Sequence, residues 1–243
     1  MTAPGSLGVR GDRPLTGAIA VVTGASRGIG RAIALRLAEA GADVALWARD
    51  DAALQRVADE VGALGVRAQA TACDVADPAA VRAAAERVRQ DLGPVTIVVN
   101  NAGAVLRKPT LEISDDEWRQ VQAVNVDGTF YVTRAFLPDL IRASGRVINI
   151  SSIAGREGTA LLAAYCAAKH AVVGLTRALA EELRAAKVCV NAVCPGSVDT
   201  VMLREGMPGA SPDMSPDDIA RTVLFLACGA PQALTGACID VYG

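Results

Sequence analysis

Tyr165 and Lys169 stand four residues apart in a segment, residues 162–186, whose pattern predicts a helix, so both side chains leave the same face. With three tyrosines and three lysines in 243 residues, chance would supply such a pair only about 0.04 times. A free phenol, with a pKa near ~10, exchanges protons poorly at neutral pH. A neighbouring ammonium favours phenolate, so Lys169 is expected to draw Tyr165 towards the working range. Such a pair suits proton exchange with an alcohol or ketone oxygen. The one histidine, His170, leaves little scope for an imidazole triad or a histidine metal cluster, and no metal site is expected. It follows Lys169 directly and is turned about 100° from that face, so it reads as structural.

A second group of residues, Thr23-Gly24-Ala25-Ser26-Arg27-Gly28-Ile29-Gly30, joins an apolar run to a helical pattern. Glycines at a strand-to-helix turn let backbone approach a pyrophosphate, and the helix N-terminus supplies N–H groups and positive dipole. No Lys-Ser/Thr follows, so this is not a Walker A loop. Gly24-x-Ser26-x-Gly28 also has the spacing of a hydrolase nucleophile elbow. Only a polar segment precedes it, with no strand to carry an oxyanion loop, and the one histidine sits inside a helix. Hydrolase chemistry is set aside.

These residues need a scaffold. Residues 18–23, 43–47, 67–73, 95–99, 146–151, 188–193 and 236–241 read as strands. Helical patterns fill 28–40, 51–63, 78–92, 114–141, 162–186 and 216–225. The alternation implies right-handed βαβ units and an α/β fold: a single doubly wound Rossmann-type domain whose seven-stranded parallel sheet is flanked by helices. Residues 1–14 read as a mobile tail and 15–243 as the domain. Only 201–215, rich in Gly and Pro, looks irregular, as a short active-site lid would. Ser152 and Asn100-Asn101-Ala102-Gly103 then end strands at the carboxyl edge of the sheet, where ligands bind.

Composition excludes several classes. Lys+Arg number 24 against Asp+Glu 26, a formal net charge of -2 with no basic run, which argues against nucleic acid. Six cysteines without a C-x-x-C read as reduced, mostly buried thiols of a cytoplasmic protein. Residues 222–239 are uncharged over 18 positions, but Gly229, Pro231 and Gly236 would break a spanning helix, so no membrane role is expected. The first residues lack the apolar core of a signal peptide. Trp47 and Trp118 read as core or rim residues, and Cys166 as helix packing.

In order and spacing, the glycine loop, Asn100-Asn101-Ala102-Gly103, Asn125, Ser152, Tyr165-x-x-x-Lys169 and Pro195-Gly196 resemble the short-chain dehydrogenase/reductase family over residues 15–243. The likeness is greatest to its 3-oxoacyl-acyl-carrier-protein reductase-like members. It implies a ketoreductase in which Tyr165 is the general acid, Ser152 stabilises charge on the same oxygen, Lys169 also holds the nicotinamide ribose, and Asn125 anchors a relay water. It further implies that Thr23, Gly24, Ser26, Arg27, Gly28, Ile29 and Gly30 meet the cofactor. Asp74 would contact adenine, Asn101 and Gly103 would line the cleft, and Pro195, Gly196 and Thr200 would meet the nicotinamide amide. Homotetramers or homodimers are implied as well.

Cofactor choice follows from charge. NAD-selective members of that family end the second strand with an acidic residue for the ribose diol. Here Ala48 stands there, followed by Arg49, and Arg27 lies in the glycine loop. Two guanidiniums suit a 2′-phosphate, so NADP(H) is expected. Ala143 and Ala186 occupy positions where carrier-protein reductases place basic docking residues, although Arg142 is adjacent. Free ketones, secondary alcohols and carrier-bound acyl groups all stay open as substrates. The chain ends Val241-Tyr242-Gly243 where the family commonly has Asp-Gly-Gly, and Lys187 stands where a helix-ending Gly is frequent. The alternative from another class is a non-catalytic dinucleotide-binding sensor or scaffold.

Overall fold

A computed structural model of the chain describes residues 13–243. Residues 1–12, nearly all of the expected tail, lie outside the described residues. Arg13 belongs with the domain, because its guanidinium donates to the Leu64 carbonyl at 3.0 Å.

The strands are β1 (Ile19–Thr23), β2 (Asp43–Ala48), β3 (Ala68–Ala72), β4 (Ile97–Asn100), β5 (Arg146–Ile150), β6 (Cys189–Pro195) and β7 (Cys238–Val241). They form one parallel sheet in the order β3-β2-β1-β4-β5-β6-β7. The order reverses between β1 and β4, and the crevice at such a switch point is where open parallel sheets bind ligands. The helices are α1 (Gly28–Glu39), α2 (Asp51–Gly62), α3 (Pro78–Asp91), α4 (Asp115–Gln122), α5 (Gly128–Ala143), α6 (Ala163–Glu182), α7 (Val201–Gly206) and α8 (Pro216–Leu224).

Both sheet faces are covered, which is why β1 and most of β2 and β4 are near-continuous apolar runs rather than alternating ones. Ala20, Val22, Val44 and Leu46 pack into one core with α1, α2 and α8. Their neighbours Ile19, Val21, Ala45 and Trp47 point the other way, into a core with α3, α5 and the end of α6. Trp47 is fully buried against Phe136, ring centroids 5.6 Å apart, whereas Trp118 is 42% exposed. Helix starts follow local chemistry. Asp50 and Asp77 accept hydrogen bonds from the first turns of α2 and α3, and Ser114 and Glu117 form a reciprocal capping box on α4. Among the described residues no helix is long and apolar enough to cross a membrane.

Two expectations are corrected. The single helix expected over 114–141 is α4 and α5 joined by a wider, π-type turn, Ala123–Asp127. The Asn125 amide group holds that turn, donating to the Val121 and Ala104 carbonyls at 2.8 Å each. The irregular lid expected over 201–215 begins as a helix, α7. Its start is capped by the Thr200 hydroxyl, which accepts from Leu203 N–H at 3.2 Å, and a parallel bridge between Val198 and Met214 closes the loop's base. Gly and Pro further along the segment hid that first turn.

Lys187 explains itself. Its φ is 58°, in the left-handed region, which costs a side-chain-bearing residue roughly 1–2 kcal/mol, while glycine returns part of that as unfolded-state entropy. Lys187→Gly is therefore expected to stabilise by about 0.5–1 kcal/mol and to raise Tm by about 1–3 °C in thermal unfolding.

Candidate active site

A buried polar ladder fixes the site's framework. The Asn100 amide donates to the Thr133 hydroxyl at 2.9 Å and to the Asn149 side-chain oxygen at 2.8 Å, and Asn149 donates to the Thr176 hydroxyl at 2.9 Å. These four buried groups tie α5 and α6 to the carboxyl-terminal ends of β4 and β5. Buried polar networks of this kind specify one register, here with the Asn100 Oδ1 left without a partner among the described residues. The Ser151 hydroxyl adds a bond to the Lys169 carbonyl at 3.0 Å. Gly155 permits the close approach, since a Cβ there would come within 2.6 Å of that carbonyl. Composition and spacing pointed to none of these supports.

Held this way, α6 presents Tyr165 and Lys169 beside the end of β5. Tyr165 is 8% exposed, and its hydroxyl donates to Met202 Sδ of α7 at 3.9 Å. Ser152 caps the turn Ile153–Gly155, its hydroxyl accepting from Ala154 N–H at 3.1 Å. Lys169 is 4% exposed; its ammonium donates to the Ile150 carbonyl at 2.9 Å and lies 5.6 Å from the Tyr165 ring centroid.

This geometry corrects the electrostatic expectation. Burial pushes the Tyr165 phenol up to about 12, with the Ser152 hydroxyl opposing it, rather than Lys169 drawing it down. Lys169 lies under the ring face and donates a hydrogen bond to the Ile150 carbonyl, so it is not aimed at the phenol oxygen. Burial in turn pushes the Lys169 ammonium down to about 8. At neutral pH the site therefore holds a protonated phenol over a protonated amine.

Asn125 is buried, and its Oδ1 has no partner among the described residues. A Cβ on Gly103 would lie 3.0 Å from that oxygen, 3.5 Å from Lys169 Nζ and 3.7 Å from Met202 Cε, so all three face the space Gly103 leaves open. An acceptor and an ammonium across such a gap are the partners a relay water needs. His170 sits outside this group, with an exposed ring and Nδ1 2.9 Å from the Cys166 carbonyl oxygen. Cys166 itself packs with Val105, Ala154 and Leu162 around Tyr165.

The glycine loop abuts this centre. Thr23 is buried beneath it, its hydroxyl accepting from Asn101 and Ala102 N–H at 3.0 Å each, and the Asn101 amide donates to the Thr23 and Gly24 carbonyls at 2.9 and 3.2 Å. Both residues pin the loop to β4, Thr23 through its hydroxyl and Asn101 through its amide nitrogen. Gly30 packs on the Gly24 carbonyl, where a Cβ would come within 2.3 Å. Gly28, at φ 54°, faces the Thr200 methyl, and a Cβ would only just touch it at 3.4 Å. Ser26 and Ile29 are half-buried on the same loop.

Whether this loop fits a dinucleotide can be judged from its donors. The residue before α1, Arg27, makes no side-chain cap, and the first turn of α1 carries no acidic residue. Its N–H groups are left for an external anion. Arg27 and Arg49 are exposed and, among the described residues, neither forms an ion pair or a side-chain hydrogen bond. Ala25 N–H donates to the Trp47 carbonyl and Cys73 N–H to the Ala48 carbonyl, which brings Arg49 and Asp74 to the same edge as the loop. Pro195 and Gly196 end β6, bonded to β7, and Thr200 follows. The residues fit the group: cations and free N–H donors at one end of the cleft, the Tyr165 centre at the other.

Fold and site together define a Rossmann-type oxidoreductase with a Ser–Tyr–Lys centre at its switch-point crevice. A family model described as short chain dehydrogenase matches residues 18–209. The chain belongs to the short-chain dehydrogenase/reductase family. It is similar to 3-oxoacyl-acyl-carrier-protein reductase FabG of Pseudomonas aeruginosa, 39% identical over 241 residues, spanning 94% of this chain and 97% of that protein. Among solved structures it is similar to a blue fluorescent protein from a metagenomic library in complex with NADPH, with TM-score 0.89, 37% identity and coverage of 95% and 98%. It is also similar to carveol dehydrogenase from Mycobacterium avium in complex with NAD, with TM-score 0.87, 30% identity and coverage of 94% and 97%.

Proposed function

We propose that the protein is an NADPH-dependent reductase interconverting a ketone, or a β-ketoacyl group, with a secondary alcohol. The observation that carries this is the buried Tyr165 hydroxyl, set beside Ser152 and over Lys169 at the carboxyl edge of the sheet. A phenol held up to about 12 stays a proton donor throughout the neutral range. Tyr165 gives that proton to the carbonyl oxygen, and the Ser152 hydroxyl donates to the same oxygen as charge builds on it. Lys169, under the ring, stabilises the phenolate left behind. A water held by Asn125 Oδ1 and the Lys169 ammonium returns the proton. When bound, the nicotinamide cofactor supplies the hydride.

Gly24, Ser26, Gly28, Ile29 and Gly30 would hold its pyrophosphate, with Asp74 at the adenine and Asn101 and Gly103 along the cleft. Tyr165 and Lys169 would take the ribose, and Pro195, Gly196 and Thr200 the amide. The protein works in the cytoplasm as a homodimer or homotetramer, on free carbonyl compounds or carrier-bound acyl groups.

Absorbance loss of NADPH, screened over β-ketoesters, diketones, cyclic ketones and acyl-thioesters, is the test. Turnover of at least one class is expected, and no turnover of any overturns the proposal. Cofactor preference rests on Arg27 and Arg49, whose charge-assisted bonds to a 2′-phosphate are worth about 1.5–3 kcal/mol each. Arg49→Ala is expected to weaken NADPH binding about tenfold or more and to change NADH binding far less. Equal NADPH and NADH affinities in the native protein would contradict this.

A further inference from the structure

Around Tyr165 the walls are apolar: Val105, Ala154, Leu162 and Cys166 pack on the ring, and Met202 covers its hydroxyl. Four cations stand on the segments that adjoin these residues in the chain: Arg107 and Lys108 after β4, Arg156 after Ser152, and Arg204 on α7. Lys108 is paired with Glu117 at 2.9 Å, Arg156 with Asp240 at 3.2 Å and Arg204 with Asp199 at 2.8 Å. Among the described residues Arg107 alone of the four has no carboxylate within ion-pair distance, Glu205 on the adjoining helix included.

Arg107 is nonetheless placed. Its guanidinium donates to the Gly206 carbonyl at the end of α7 at 3.3 Å, spending one of five N–H donors. Gly206 in turn lies against Val105, where a Cβ would come within 2.9 Å of Val105 Cγ2. Val105 packs against the apolar cluster of Ala154, Leu162 and Tyr165. Met202, at the other end of the same helix, touches the Tyr165 hydroxyl. Met202 and Gly206 are four positions apart on α7, a rise of about 6 Å along the helix. One short helix therefore carries the contact to the proton donor near its start and the contact to an unneutralised guanidinium at its end.

We infer that Arg107 is a specificity-determining residue, and that the preferred substrates are oxo acids: ketones joined by a short apolar link to an anionic group that the guanidinium receives. This rests on the reductase proposal and adds the substrate class. The anion docks on Arg107 while the ketone oxygen meets Tyr165 and Ser152. A guanidinium–carboxylate hydrogen bond of this kind outweighs a neutral contact by about tenfold or more in affinity.

Levulinate and ethyl levulinate carry the same ketone and differ in that charge. With NADPH, the native enzyme is expected to show kcat/KM for levulinate about tenfold or more above that for the ester. Arg107→Ala is expected to collapse that ratio to about one through a higher KM for the acid, and Arg107→Lys to restore part of it. A native ratio near one, or an Arg107→Ala loss as large for the ester as for the acid, overturns the inference. If neutral ketones are reduced and levulinate is not favoured, the oxo-acid inference falls and the reductase proposal stands. If no ketone is reduced at all, both fall.

Discussion

Tyr165→Phe is expected to fold normally, to bind NADPH, and to reduce ketones about a thousandfold more slowly than the native protein. The size follows from what the hydroxyl does: a positioned general acid contributes typically about 10²–10⁴-fold, and Lys169, on the same face of α6, is turned to the Ile150 carbonyl rather than to the substrate oxygen. The fold is expected to survive because phenylalanine keeps the buried ring, and the hydroxyl's partners are Met202 Sδ, a weak acceptor at 3.9 Å, and the Ser152 hydroxyl, which keeps its bond from Ala154 N–H. Its removal leaves no strong donor or acceptor unsatisfied. Steady-state rates, near-ultraviolet circular dichroism and NADPH fluorescence titration read the three expectations separately. Full activity in the variant would remove Tyr165 from the proton path. A protein that only sensed or carried a dinucleotide would have no activity for the substitution to lose.

Lys169→Met is expected to do two opposite things: abolish ketone reduction and stabilise the fold. Depression of the ammonium from its ordinary 10.5 to about 8 places the burden of burying that charge on the order of 3 kcal/mol. Methionine fills the stem's space without the charge, at the loss of the bond to Ile150 O, about 1 kcal/mol. The net expectation is roughly 1–2 kcal/mol of added stability, or a Tm higher by about 2–6 °C. The sign has a pH signature. The folded lysine sheds its proton near 8 while the unfolded one holds it to near 10.5, so native stability rises with pH between those values. The advantage of the methionine variant is therefore largest below about pH 8 and fades towards about 10.5. Urea denaturation at several pH values reads it, and a variant less stable than native at neutral pH would contradict it.

Most of the fold was legible from residue order because the central strands are buried on both faces. Runs such as 18–23 and 188–193 are apolar but for Thr23 and Asn191, and the glycines and prolines between segments mark the turns. Two features were hidden by the same physics that makes periodicity useful. The π-type turn at Ala123–Asp127 inserts its irregularity inside a helical pattern, and only the Asn125 amide, bonded across to Ala104, reveals it. α7 was masked because Pro208, Gly209 and Pro212 dominate the composition of a segment whose first turn needs only a Thr200 cap.

The site was legible as a set of residue types at set spacings, and less so as electrostatics. Spacing places Tyr165 and Lys169 on one face, but the sign of the phenol's shift depends on how deeply α6 is buried and on where the ammonium points. Both are tertiary facts. Thr23 and Asn101 likewise read as cofactor contacts from position, while their hydrogen bonds show them bracing the loop that carries the contacts. Met202 and Arg107 escaped notice because their positions near Tyr165 come from the packing of α7 across distant chain segments, which no local pattern encodes.

The most direct test of the Tyr165–Lys169 account is kcat/KM for ketone reduction followed from about pH 6 to about 10 with NADPH saturating. A phenol that stays protonated over an amine titrating near 8 predicts a level rate at the acid end and a fall of about tenfold per pH unit above about 8, as the charge that stabilises the departing phenolate is lost. A rate that holds level to about pH 10, or rises there, would contradict it.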